Sequence, residues 1–165
     1  AGLETIGQVD ENQLIEATQL LVMGTHNHPN TLRSACDLTR ILINLKKGIN
    51  LRSTLSDLQL SDAPLSSLKK WESQPDRLVV GKNLSTACYL PESFTASIFL
   101  AYKYWDDFTL AILSNAKVGG DSCHRGVVVG SVVGMHTGIP PKWLPDLQAF
   151  QELSNDFATG SSRSD

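Results

Sequence analysis

The chemistry-bearing residues of this chain gather in one short run, Gly119-Gly120-Asp121-Ser122-Cys123-His124-Arg125. Two glycines leave room for a close approach to the backbone, and the Asp121 carboxylate can offer a hard oxygen ligand to a metal ion. The same aspartate stands where a glycine-rich turn enters a helix. It therefore equally suits an N-cap that accepts hydrogen bonds from free backbone N–H groups and complements the helix dipole. His124 and Arg125 follow within one helical turn and share a surface with Asp121 if the helix includes them, in which case Arg125 can simply pair with Asp121.

His26-Asn27-His28 is a second candidate, but an H-x-H pair without its remaining ligands is more often a solvated turn than a metal site. A combined zinc site of His26, His28, Asp121, Cys123 and His124 is chemically reasonable only if the fold brings two distant regions together. Tyr102, Tyr104 and Trp105 are read as core and its border. The sequence contains no G-x-S-x-G elbow, Walker loop or Rossmann fingerprint.

Helices must position these residues. Asp10 and Gln13 have capping-box spacing, and Leu14, Ala17 and Leu21 recur at helical intervals until Gly24. Leu32, Ala35, Cys36, Thr39, Leu42 and Ile43 form the face of a second helix, closed by Lys46, Lys47 and Gly48. Residues 52 to 76 mix Ser, Asp, Pro and Lys around scattered Leu and are expected to form short helical turns in a surface segment. Phe94, Ile98, Ala101, Tyr102 and Trp105 align on one helix face, and Asp106 or Asp107 can cap the helix from Phe108 to Ala116. Strand signals are limited to Leu78-Val79-Val80. The last helix carries Gly126, Gly130, Gly134 and Gly138, four residues apart, along one side. Each interior glycine costs on the order of 1 kcal/mol relative to alanine, so close approach by another element is expected, with this helix at the centre.

At 165 residues and 41% apolar content, the chain can bury one core. One domain over residues 1–150 and a polar tail over 151–165 are expected. The net charge of −3 leaves no basic stripe for nucleic acid, and Val127 to Met135 is far too short for a membrane span. Cys36, Cys88 and Cys123 fit neither a disulfide framework nor a C-x-x-C zinc site, which favours a reducing intracellular or organellar compartment over secretion. The start at Ala1-Gly2-Leu3 lacks the charged-then-apolar pattern of a secretory leader.

Three stretches carry a family resemblance: Gly81-Lys-Asn-Leu-Ser-Thr-Ala-Cys-Tyr-Leu-Pro-Glu-Ser-Phe94, Leu100-Ala-Tyr-Lys-Tyr-Trp-Asp-Asp107 and Asn115-Ala-Lys-Val-Gly-Gly-Asp-Ser-Cys-His-Arg-Gly126. With Thr25-His-Asn-His-Pro29, Val127 to Gly134 and Ile139-Pro-Pro-Lys-Trp-Leu144, they make the chain resemble the ADP-ribosylglycohydrolase superfamily. The branch with J1 crystallin-like and selenoprotein J-like proteins is the most similar. The resemblance implies an all-α, compact orthogonal helical bundle, of which this chain looks like the C-terminal half and hence an incomplete domain. It also implies a cleft in which active members hold two magnesium ions and hydrolyse ADP-ribosyl glycosidic linkages.

The family's C-terminal metal motif is Gly-Gly-Asp-x-Asp-Thr. Gly119, Gly120 and Asp121 match it, whereas Cys123 and His124 stand for the second aspartate and the threonine. Asp121 alone transfers as a metal ligand, and residues 119 to 125 as ligand-binding. A thiol and an imidazole are softer donors that disfavour magnesium. The acidic motifs that active members carry in an N-terminal half have no counterpart here. The expectation is a non-catalytic structural or accessory protein without a cofactor, its cleft filled, packing against a protein partner or a complementary N-terminal segment. The alternatives are part of a metal-dependent hydrolase, with magnesium bound once a complete site is assembled, and a binding module that holds an ADP-ribose-like ligand without turnover.

Overall fold

The structure, a computed structural model, describes residues 10–145. The expected polar tail, 151–165, lies outside the described residues. Eight α-helices follow in chain order: α1 Glu11–Met23, α2 Pro29–Lys46, α3 Leu51–Leu58, α4 Leu65–Trp71, the single turn α5 Asp76–Leu78, α6 Glu92–Lys103, α7 Phe108–Val118 and α8 Ser122–Thr137. A π-type turn spans Val79–Asn83 and a 3-10 turn Pro141–Trp143. The class is all-α, as the periodicity predicts. Leu78-Val79-Val80 form no strand. Val79 and Val80 are buried in helical and π turns, with one isolated bridge from Val80 to Leu84. Among the described residues no helix is long and apolar enough to cross a membrane.

Helix α6 is the centre of the bundle. Every residue from Ser93 to Tyr102 is buried, so apolar and small residues cover all its sides rather than the single face expected from Phe94, Ile98, Ala101 and Tyr102. Its serine and threonine hydroxyls are satisfied locally or across the fold: Ser97 donates to the Ser93 carbonyl, Ser93 to the Cys88 carbonyl, and Thr95 to the Asp62 and Pro91 carbonyls. Trp105 falls beyond the end of α6 and stacks on His136 at 4.8 Å. The segment expected at the surface contributes Leu55, Leu60, Ala63 and Leu68 to the core, because α3 and α4 wrap around α2 and α6.

The glycine helix α8 shares that central place, as its spacing predicts, packing against α2, α6 and α7. Gly126, Gly130 and Gly134 meet Asn115, Ile112 and Phe108 of α7 in antiparallel order. The close approach inferred from their spacing is thus accounted for. Gly138 is not a fourth rung: with φ +77° it closes the helix.

Caps set the helix starts. His28, Asn50 and Asp107 each accept from a backbone N–H, whereas Asp10 makes no side-chain cap bond, so the predicted capping box does not form. Helix α1 is rotated from expectation. Leu14, Ile15, Thr18 and Val22 face α2, while Ala17 and Leu21 lie exposed. Helix α2 is buried on several sides because α1, α3 and α8 all pack on it.

Phe99, fully buried and edge-on to Trp71, should cost about 3–5 kcal/mol on truncation to alanine. Leu21→Ser, at a position 76% exposed, should stay within about 0.5 kcal/mol. Urea unfolding of the two variants checks the contrast, and equal shifts would contradict the burial pattern.

Candidate functional site

The turn from α7 to α8 needs two left-handed residues in succession, Gly119 at φ +79° and Gly120 at φ +65°. A Cβ on Gly120 would lie 2.4 Å from the Thr86 carbonyl oxygen, so the turn is pressed onto the 84–91 segment. The Thr86 carbonyl accepts from the Asp121 N–H and from Arg125 Nη1, each at 2.9 Å. Arg125 Nη2 donates to the Gly119 carbonyl and Nε to Asn115 Oδ1, while Asn115 Nδ2 donates to the Ser122 carbonyl. Two loops and two helices are fastened by one guanidinium, only 1% exposed. Burial pushes its pKa below the ordinary value and the Asp121 carboxylate acts the other way. An arginine so placed stays charged.

Asp121 is the N-cap of α8. Its Oδ1 accepts from the His124 N–H at 3.4 Å and meets His124 Nδ1 at 2.7 Å. The hydrogen bond from His124 is the main reason its carboxyl sits below the usual aspartate value, with a contribution from the Cys88 thiol. Arg125 therefore does not pair with Asp121; His124 does. The reason is helical geometry: as N3, His124 meets its own cap, while Arg125 turns inward beneath the loop.

A cleft of about 610 Å³ opens beside this turn. The first turns of α2 (His28, Thr31, Ser34) and of α8 (His124, Arg125, Val128) form two walls, and Ser93, Phe94 and Ser97 of α6 form a third. Cys88, Tyr89 and Leu90 border it, as does His26. The fold does bring the His26-Asn27-His28 turn and His124 to one cavity, the condition set by the combined zinc reading. Yet among the described residues no three His, Cys, Asp or Glu side chains are grouped to hold a metal ion. His28 Nδ1 is used in capping α2, and His26 Nδ1 bonds Thr25 Oγ1 at 2.9 Å. Gly119, Gly120, Asp121, Ser122 and Cys123 do not line the cleft; Cys123 is exposed.

Thr86, Asn115 and Ser34 were not found from sequence. Thr86 acts through its backbone carbonyl, which has no side-chain signature. Asn115 opens the quoted glycine motif, but an amide ten residues before Arg125 gives no sequence signal that the two will meet. Ser34 lines the cleft with a hydroxyl that has no hydrogen-bond partner among the described residues.

An all-helical bundle with a Gly-Gly-Asp turn beside an open cleft defines the class of helical scaffold to which the turn's sequence points. Residues 2–164 match ADP-ribosylglycohydrolase, and the chain belongs to that family. No curated protein and no solved structure matches it.

Gly120→Ala should lower stability by more than about 2 kcal/mol, since it combines a left-handed backbone with a clash against backbone. Asp121→Asn keeps a good cap but removes the charge. Because folding lowers the Asp121 pKa, its charge stabilises the fold above the ordinary value of 3.8, and that gain is lost as pH falls through the lowered one. The difference in Tm between wild type and Asp121→Asn should be widest near neutral pH and close in acid; a pH-independent gap would refute it.

Proposed function

We propose that this chain is a non-catalytic accessory protein of the ADP-ribosylglycohydrolase family, which uses its cleft to hold an ADP-ribose-like ligand without hydrolysing it. The observation that carries this is the engagement of Asp121. The one carboxylate matching the family's metal motif caps α8 and holds His124 through the same oxygen. Magnesium demands a near-octahedral set of hard oxygens. Cys123 and His124 offer sulfur and nitrogen instead, so the residues present do not fit that ion.

The open cleft bears on the choice among non-catalytic roles. A purely structural use of the fold predicts a filled cleft, and one of about 610 Å³ supports ligand binding instead. Likeness to the J1 crystallin-like branch rests on the Cys123-His124-Arg125-Gly126 run and supports reuse of the scaffold without turnover.

A second reading, in which the chain packs against a protein partner or a complementary N-terminal segment, is favoured by α1. Leu20, Leu21 and Met23 in its last turns leave apolar side chains in solvent. On that reading a completed assembly could recover hydrolysis. Sedimentation checks it: a stable, monodisperse monomer at every concentration counts against a partner surface.

Titration calorimetry with ADP-ribose in EDTA should give saturable binding. ADP-ribosyl-arginine incubated with the chain and magnesium should give no ADP-ribose. Magnesium-dependent product that disappears in Asp121→Asn would overturn the non-catalytic reading.

A further inference from the structure

We propose that Arg125 supplies the positive charge by which the cleft binds a phosphate-bearing ligand without metal. This rests on the reading of the cleft as a ligand site. A guanidinium carries five N–H donors. In Arg125 three have acceptors, at Asn115, Thr86 and Gly119, and the other two, one on each terminal nitrogen, have none among the described residues. Arg125 is also without an ion pair there: Asp121, the carboxylate whose field reaches it, is paired with His124 instead. Arg125 is only 1% exposed, so its charge acts on the cleft it borders across a short shielded distance rather than by contact, and an anion there would offset the cost of burying a cation without a counter-ion.

The surroundings favour the same sign. No Asp, Glu or Lys lines the cleft. The N-terminal turns of both α2 and α8 border it; Asp121 already caps α8, whereas α2 has no acidic residue in its first turn and brings its positive end to the cavity. Three imidazoles, from His26, His28 and His124, stand around it, and the unpartnered Ser34 hydroxyl belongs to the same wall. Exposed Tyr89 at the border offers a ring face on which a base can stack. Phosphate suits this arrangement because its charge answers the guanidinium and a helix N-terminus recognises it through N–H donors.

The probe is inorganic diphosphate, titrated in EDTA into the wild-type chain, with ADP-ribose and D-ribose in parallel. Diphosphate should bind, compete with ADP-ribose and weaken as salt is raised, while ribose alone should not bind measurably. Arg125→Lys keeps the charge and should retain diphosphate binding. Arg125→Gln should lose about tenfold, the value of one unit charge acting at short range in a shielded site. Circular dichroism and Tm establish whether each variant folds. If Arg125→Gln does not fold, the salt dependence and the competition in the wild type decide. ADP-ribose binding without diphosphate binding would overturn the role of Arg125 and leave the cleft's ligand standing. Diphosphate binding without ADP-ribose binding would do the reverse. A folded Arg125→Gln chain that binds diphosphate like the wild type would also defeat the proposal.

Discussion

One buried guanidinium ties the site to the fold. Arg125 reaches the Thr86 carbonyl in the segment before α6, the Gly119 carbonyl at the end of α7 and the Asn115 side chain within α7. A charge taken out of water to this degree is tolerated only when hydrogen bonds replace its hydration. The acceptors here are two backbone carbonyls and an amide. The buried Asn115 Oδ1 would lose its donor if the arginine were absent, while the Thr86 carbonyl would keep only the Asp121 N–H, so the parts stabilise one another as a set. The position of the cleft follows, since two of its borders, the 84–91 segment and the first turn of α8, meet at this side chain.

Packing behind the network explains why it can be so tight. Helix α6 is buried on every side and packs against α8, α7 and α4. Helices α7 and α8 run antiparallel with Gly126, Gly130 and Gly134 in their contact, so the backbones come close enough for Asn115 to reach both Ser122 and Arg125. Bulk in this seam would separate the helices and move the α7–α8 turn off Thr86. Arg77 closes the other side of α7 by donating twice to the Lys117 carbonyl, at 2.9 and 3.0 Å.

Much of this architecture was legible because it is local or periodic. The helix from Phe108, a cap at Asp106 or Asp107, the Gly24 and Gly48 stops and the need for close approach at the α8 glycines all follow from spacing. What failed depended on neighbours. The exposed and buried sides of α1 are set by the one helix on which it mainly packs, and no periodicity in Leu14, Ala17 and Leu21 contains that information. The 52–76 segment reads as surface because its leucines are sparse, yet α3 and α4 bury them between other helices. At the site, spacing suggests that Arg125 pairs with Asp121, but His124 as N3 meets the cap instead, and Arg125 is drawn away by the carbonyls of Thr86 and Gly119.

The two halves of the Gly119 to Arg125 run perform separable tasks. Gly119, Gly120 and Arg125 hold the turn, by left-handed backbone, by contact with Thr86 and by buried hydrogen bonds. Cys123 and His124 are exposed, and His124 touches the rest of the site only through its own helix cap. Replacing hard ligands at positions 123 and 124 therefore need not disturb the scaffold. The turn can keep its shape, the cleft its volume and α8 its cap while the donor set changes from oxygen to sulfur and nitrogen. Likeness in the glycines thus reports the fold, and the chemistry must be argued from the side chains that face the cleft. There, a buried arginine carries the charge, and carboxylates are absent from the lining.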